Sequence, residues 1–290
     1  MGYGDEIMAT GIAKIEKIKF PHKQIVIGNF KQKIVTQSIV FLNNPNIIMD
    51  PKKIDKNKSI HFVNNYPGNR PHIDYSKSIK GKNAWNLNFK PTPGELFFSK
   101  DEKDYAKKIF EEANSFWKQN QKYNHKGIIF IETTSVKIND PRMGFKHTNK
   151  DWGNQNWDSL INKLKKDYLI LQPLHKHSGK FHGVFSFNCS FREACAVMDL
   201  SNIYVGPEGG FGHVAAALKK PAVVIFGGWI TPKVTGYDFH ENVYIDIEDS
   251  PCGVFSYNCE HCKTCMKKIT VPMIENLIVN NINKEISFDY

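Results

Sequence analysis

The stretch Gly206-Pro207-Glu208-Gly209-Gly210 lies between an apolar run, Asn202 to Val205, and a run of small residues from Phe211 to Lys219. That order reads strand, turn, helix. Glycines permit positive φ and let a ligand approach the backbone. The free N–H groups and positive dipole end of the following helix favour an anion such as a diphosphate. Taken alone, the turn suits a purely structural role as well. Glu132-Thr133-Thr134-Ser135 follows the apolar run Gly127 to Ile131 and offers hydroxyls at the carboxyl end of a strand, where open α/β sheets bind ligands. His175, Lys176, His177, Lys180 and His182 crowd one loop. Metal or phosphate would suit them, and a basic border to a nucleotide explains them without a metal. Asp5 opens an amphipathic segment, where aspartate is a good helix N-cap and the dipole favours a carboxylate.

Cys252, Cys259, Cys262 and Cys265 are four of the six cysteines. Four thiolates can hold zinc tetrahedrally, and C-x-x-C elements are a fairly specific signal. The full spacing is not that of a standard finger, so a structural zinc and a metal-free thiol cluster both stand. Either acts on stability rather than on chemistry.

The elements that must position these residues are legible from periodicity and caps. Ser190 with Glu193, and Ser99 with Glu102, are capping boxes that start helices. The second of these helices runs from about Asp101 to Gln119, with Tyr105, Ile109, Ala113 and Phe116 on its apolar face. Gly2 to Lys19 reads as a turn and a helix marked by Ile7, Ile12, Ile15 and Ile18. Gln24 to Phe30, Gly127 to Ile131, Tyr168 to Leu171, Pro221 to Phe226 and Val243 to Ile245 read as strands, several of them apolar throughout as in a parallel sheet covered on both faces. Trp157, Leu160, Ile161 and Leu164 share a helix face, and Met273, Leu277, Ile278 and Ile282 share another near the end. Asn43 to Asn83 is loop-rich, with a brief strand at His61-Phe62-Val63 and a turn at Tyr66 to His72 whose aromatic and basic groups could touch a substrate. Lys118 to Lys126 reads as a linker. The expected organisation is an α/β chain with domains at 1–122 and 123–290.

At 290 residues the chain has room for two ordinary cores, and 41% hydrophobic with 23% charged residues describes a soluble globular protein. No apolar run is long enough to span a membrane, and the first residues lack the features of a secretory signal, so a cytoplasmic location is expected. The net charge of +10 favours anionic partners. Nucleic acid is not expected, because no dense basic stripe with interleaved aromatics is present.

The segment Ser190 to Gly228 resembles the donor-binding core of glycosyltransferase family 9, the heptosyltransferase-like enzymes of lipopolysaccharide assembly. There a capped helix and a strand lead to an acidic residue, Thr, Gly, two variable residues and His. Glu208, Gly209, Gly210, Phe211, Gly212 and His213 occupy those places, with Glu for the usual Asp and Gly for the usual Thr. Gly4-Asp5-Glu6-Ile7-Met8-Ala9-Thr10 is similar to the family's Gly-Asp motif, and Lys150-Asp151-Trp152 to its Lys-x-Trp. Gly227 to Pro232 resembles a loop that lines the donor site, and Gly236-Tyr237 with His240 the segment before the last strand. The resemblance is strong from Gly127 onward, moderate over Met1 to Lys19 and thin between.

What the resemblance implies is the GT-B architecture, two Rossmann-like domains facing across a cleft, here with the first one shortened. It implies inverting transfer of a sugar, heptose by default, from a nucleoside diphosphate sugar such as ADP-heptose to a hydroxyl of a glycan or glycolipid. Asp5 would be the base. Thr133, Thr134, Lys150, Glu208, Gly209, Gly210 and His213 would bind the donor without a divalent ion. The charge balance adds peripheral contact with an anionic membrane face. A sugar-nucleotide epimerase or hydrolase on the same fold, and a non-catalytic, zinc-stabilised binding protein, are the alternatives.

Overall fold

The computed structural model describes residues 2–134, 149–175, 178–255 and 259–288, with side chains as far as Lys284. Helix α1 (Tyr3–Lys19) packs on a three-stranded sheet of order β2-β1-β3, built from β1 (Gln24–Asn29), β2 (Ile34–Val35) and β3 (Ile60–Asn64). β1 and β3 are parallel, with Gln24 opposite Ile60 and Gly28 opposite Asn64, and β2 runs antiparallel to β1. Every residue of β1 is buried, so it is the spine of this half. The apolar segment after β2 forms a single 3-10 turn, Ile39–Phe41, capped by the Ser38 side chain. Residues 65–99 cross the surface as loops, and α2 (Lys100–Asn120) follows with both bonds of its Ser99–Glu102 capping box in place.

The second half is an all-parallel sheet of six strands. In chain order the elements are β4 (Ile128–Ile131), α3 (Asn154–Leu164), β5 (Leu169–Leu174), β6 (Phe185–Asn188), α4 (Phe191–Asp199), β7 (Ile203–Pro207), α5 (Gly210–Ala217), β8 (Ala222–Gly227), α6 (Pro232–Thr235), β9 (Glu241–Tyr244), α7 (Glu260–Lys268) and α8 (Val271–Phe288). The strand order is β6-β5-β4-β7-β8-β9. The chain therefore winds outward from β4 in one direction, then returns to β7 on its other side. This is the doubly wound pattern, and the crevice between the carboxyl ends of β4 and β7 is its switch point.

Alternation along the strands divides the sheet between two cores. Phe130, Leu171, Tyr204 and Val224 face α2, α4 and α5, in one continuous cluster with Ile7, Ile25 and Phe41 of the first half. Ile129, Ile170, Val205 and Ile225 face the other way, onto Trp157, Leu160 and Ile161 of α3 and Ile274, Ile278 and Ile282 of α8. The periodic face expected for α3 is buried at all four positions.

For α1 the expected face is incomplete. Ile7 is buried, but Ile18 is 73% exposed, whereas Glu6 to Gly11 are buried as a continuous run. The reason is enclosure from several sides. A Cβ on Gly11 would meet Thr92 O at 2.5 Å, one on Gly94 would overlap Ile7 O, and α1 also packs on α5. A helix surrounded at one end and free at the other loses its period-3.6 signature.

Arg192, 4% exposed, ties the halves together. Its Nε and Nη2 lie 2.5 Å and 2.9 Å from the two carboxylate oxygens of Glu102. Its Nη1 donates to Ile39 O at 3.0 Å and Nη2 to Phe97 O at 2.6 Å. A buried guanidinium is tolerated only when paired and hydrogen-bonded in this way.

Candidate functional site

The N-termini of α1 and α5, one from each half, meet. A Cβ on Gly4 would lie 2.9 Å from His213 Cδ2 and 3.3 Å from Gly210 Cα, and one on Gly210 would lie 3.6 Å from Gly4 N. Gly4 must lack a side chain for the two helix ends to stand this close, whereas a Cβ at Gly210 would only make ordinary contact. The first turns and positive dipole ends of two helices converge there, a favourable field for an anion.

Asp5 stands in the first turn of α1. One carboxylate oxygen accepts from Gly2 N at 3.3 Å and lies 3.2 Å from Arg70 Nε, and the other is 3.7 Å from His72 Nε2. The Asp5 carbonyl accepts from Asn65 Nδ2 at 2.8 Å. The loop after β3 therefore wraps the start of α1 with a cation and an imidazole. Burial lowers His72 to about 4, which Asp5 and Glu208 only partly oppose, so at neutral pH its ring is uncharged.

On the other side Lys150 pairs with Glu208, and its ammonium sits 4.7 Å from the centre of the Trp229 ring. Burial works to raise Glu208, but Lys150, by its charge and hydrogen bond, outweighs it and holds the carboxyl below its ordinary value. His213 is lowered by burial, against the opposing pull of Glu208 and Asp5. Its Nδ1 is 2.9 Å from the Tyr237 hydroxyl. Trp229 is held from the first half, since Trp85 Nε1 donates to its carbonyl at 3.0 Å and the two rings meet edge-on at 4.9 Å.

The carboxyl end of β4 completes the crevice. Glu132 N donates to Val205 O at 2.9 Å, and a Cβ on Gly206 would sit 3.0 Å from Glu132 O. Thr134 N donates to a Glu132 carboxylate oxygen at 3.0 Å, and the Thr133 hydroxyl accepts from Gln172 Nε2 at 3.2 Å. His175 Nε2 lies 3.1 Å from the same carboxylate, and that bond raises its pKa against burial.

Two solved structures resemble the whole chain. The iron-containing dodecameric glycosyltransferase TibC from enterotoxigenic E. coli H10407 superposes with a TM-score of 0.61 at 14% identity, over 99% of this chain and 74% of TibC. The glycosyl transferase family 9 protein of Veillonella parvula DSM 2008 gives 0.60 at 12% identity, over 98% of this chain and 95% of its own. The chain has the fold of glycosyltransferase family 9. At these identities the likeness concerns fold alone. No protein-family model matches the chain, and no curated protein matches its sequence.

On this family 9 fold, of the GT-B type, Asp5, Lys150, Glu208, Gly209, Gly210 and His213 gather at one seam, while Thr133 and Thr134 stand beside it at the β4–β7 switch point. Ser135, Lys176 and His177 lie outside the described residues. The glycines of the turn do not use positive φ as the sequence suggested. Gly209 is extended, and none of Gly206, Gly209 and Gly210 is left-handed; of the three, only Gly206 is closed to a side chain. A side chain at Gly206 would overlap the Tyr204 hydroxyl. Arg70 and His72 were visible as basic groups of a turn, and nothing local pointed them at Asp5. Tyr237 carried no signal beyond its place in a family-like segment.

The cysteines gather behind the Gly227–Trp229 loop. Cys252 Sγ is 3.3 Å from Cys262 Sγ and 3.9 Å from Cys259 Sγ, and His261 joins them, with all four ligand atoms within 4.8 Å of one another. Cys265 stands just outside this group, 3.9 Å from His261 Nε2. The bond from Cys262 pulls the Cys252 thiol down to about 5, and the same bond with burial pushes Cys262 up. Cys252 N donates to Gly228 O at 3.0 Å, so the group braces the loop that carries Trp229.

Proposed function

We propose that the chain is an inverting glycosyltransferase that moves a sugar from a nucleoside diphosphate sugar to a hydroxyl of a glycan or glycolipid. The observation that carries this is the seam itself, where Gly4 lets the helix N-terminus that bears Asp5 close on the N-terminus of α5. Asp5 takes the acceptor proton as the hydroxyl oxygen attacks the anomeric carbon. The bond from that carbon to the diphosphate breaks, and its electron pair leaves with the phosphate. Lys150, the Gly209 and Gly210 N–H groups, the α5 N-terminus and His213 meet the charge that develops, as preorganised donors in a partly buried site. In this proposal no divalent ion bridges the phosphates. The Lys150–Glu208 pair exchanges for a Lys150–phosphate contact when donor enters, and Glu208 turns to a sugar hydroxyl.

ADP-heptose is the donor to try first, because it is the default that the sequence resemblance to glycosyltransferase family 9 implies. The net charge of +10 suits a phosphorylated acceptor at an anionic membrane face. Among the described residues no helix is long and apolar enough to cross a membrane.

The thiol group also fits a metal with a structural role. Tetrahedral zinc–thiolate sites hold sulfurs about 3.7 Å apart, near the spacings here. His261 Nε2 is taken by Ser250 Oγ at 3.0 Å, and its Nδ1 is buried with no partner among the described residues. That is how an imidazole stands when one nitrogen ligates and the other is oriented by a neighbour. Cys252, Cys259, Cys262 and His261 would hold the ion, with Cys265 in reserve.

The test is thermal stabilisation against a panel of nucleoside diphosphates and their sugars, followed by transfer assays. Asp5→Asn should keep the stabilisation and lose transfer, while Lys150→Ala should lose the stabilisation. A chain that none of these ligands stabilises would overturn the transferase proposal.

A further inference from the structure

Tyr237 is 4% exposed, and among the described residues its hydroxyl has one partner within hydrogen-bonding distance, His213 Nδ1 at 2.9 Å. Two arrangements fit that distance. The phenol can donate to Nδ1, which leaves the ring proton on Nε2. Alternatively Nδ1–H can donate to the phenol oxygen, which leaves Nε2 bare.

The surroundings decide between them. Burial raises Tyr237, so the phenol keeps its proton and must place it. A buried O–H without an acceptor is costly, and Nδ1 is the acceptor at hand. Burial also keeps His213 neutral near pH 7, so it carries a single N–H. The ring's Cδ2, bonded to Nε2, is the atom that a Cβ on Gly4 would strike, so the Nε2 edge faces the start of α1. Asp5, in the first turn of α1, acts on this ring as a negative charge and favours a proton on the edge that faces that helix.

We propose that Tyr237 is a positioning residue that fixes His213 as its Nε2–H tautomer, with that N–H aimed at the seam between α1 and α5 where a leaving diphosphate would gather charge. The function rests on the transferase proposal; the tautomer does not. His213 then acts as a neutral hydrogen-bond donor and transfers no proton. The carbon–oxygen bond to the phosphate breaks with its electrons on the phosphate, and Nε2–H stabilises them in place. A cavity of about 10 Å³ beside Tyr237, lined in part by Thr235, His240 and Asn242, has room for no more than one water, which would compete with Nδ1 for the phenol proton.

A long-range proton–nitrogen spectrum of the ¹⁵N-labelled full chain separates the two tautomers directly. The expected wild-type form has Nε2 protonated and Nδ1 accepting, and inorganic pyrophosphate should shift the Nε2 resonance. Tyr237→Phe, which removes only the hydroxyl, should lose the single tautomer. With donor and acceptor in hand, its kcat should fall on the order of tenfold or more with little change in donor KM, the pattern of a contact made in the transition state. An Nδ1–H form in the wild type, an Nε2 that pyrophosphate does not shift, or a Phe variant with unchanged tautomer and kcat would each overturn the proposal. Should the Phe variant fail to fold, the wild-type spectrum still decides. An Nε2–H form that responds to pyrophosphate in a chain that transfers no sugar would count against the transferase proposal alone.

Discussion

Gly4→Ala tests whether the two helix N-termini act as one site. Its Cβ would stand 2.9 Å from His213 Cδ2, 3.3 Å from Gly210 Cα and 3.5 Å from Gly210 N. Carbon atoms in good contact are about 3.5 to 4.0 Å apart, so something must move by roughly half an ångström to one. One of the two obstructing atoms, Gly210 Cα, is backbone, and the other belongs to a buried ring hydrogen-bonded to Tyr237. The yielding motion is therefore α1 sliding off α5, which carries Asp5 with it. For stability the change is mixed. Alanine is favoured over glycine in a helix by up to about 1 kcal/mol, and overpacking costs about 1 to 3 kcal/mol. A net loss of about 0 to 2 kcal/mol is expected in thermal melts. For function a displacement of this size at the base can cost about a hundredfold. The assay is transfer rate beside calorimetric binding of the nucleoside diphosphate, with circular dichroism to confirm the fold. Unchanged transfer and unchanged binding in a folded Gly4→Ala protein would refute the idea that these helix ends share a ligand.

Acid should weaken the fold before its carboxylates titrate. Burial lowers both His72 and His240 to about 4, while the unfolded chain holds them near 6.5, so on acidification the unfolded state takes up protons first. Their contribution is intact above about pH 6.5 and is lost as pH falls toward 4, roughly 2 kcal/mol each by pH 5. His175, raised by its bond to Glu132, offsets part of this. A melting temperature that stays flat from pH 7 to 5 in wild type, and is the same in His240→Gln, would contradict the assignment. The thiol group should hold about one equivalent of zinc or another thiophilic ion in protein purified under reducing conditions. Chelator should lower the melting temperature and quench-shift Trp229 fluorescence, and Cys262→Ser should lower both metal content and stability. Protein with no bound metal and no response to chelator would rule this out.

Much of the second half was legible because its signals are local. The Ser190 box, the Ile128 to Ile131 run and the Trp157 face each depend on neighbours within a few residues, and each formed as expected. β6 gave no apolar run, since Phe185 and Ser186 are only half-buried at the sheet edge. It forms because β5 offers an open ladder, with Leu171 opposite Phe185. The site divides in the same way. Glu208 to His213 and Asp5 could be found as motifs, whereas Arg70 and His72 become site residues only when β3 delivers its loop to the start of α1. His261 was hidden for a related reason: cysteine spacing draws the eye to Cys265, but a turn of α7 sets the histidine ring nearer to Cys252 and Cys262.

Arg192 has a consequence for the order in which the molecule can be made. Its partners Ile39, Phe97 and Glu102 leave the ribosome well before it, and Phe191, next to it, stacks on Tyr3 at 4.3 Å. At about 5 to 20 residues per second, the earlier segment waits on the order of 5 to 20 seconds for the guanidinium that closes it. During that interval the carbonyls of Ile39 and Phe97 and the apolar faces around them are open to other partners. A nascent chain of this design depends on whatever shields its first hundred residues until α4 has emerged.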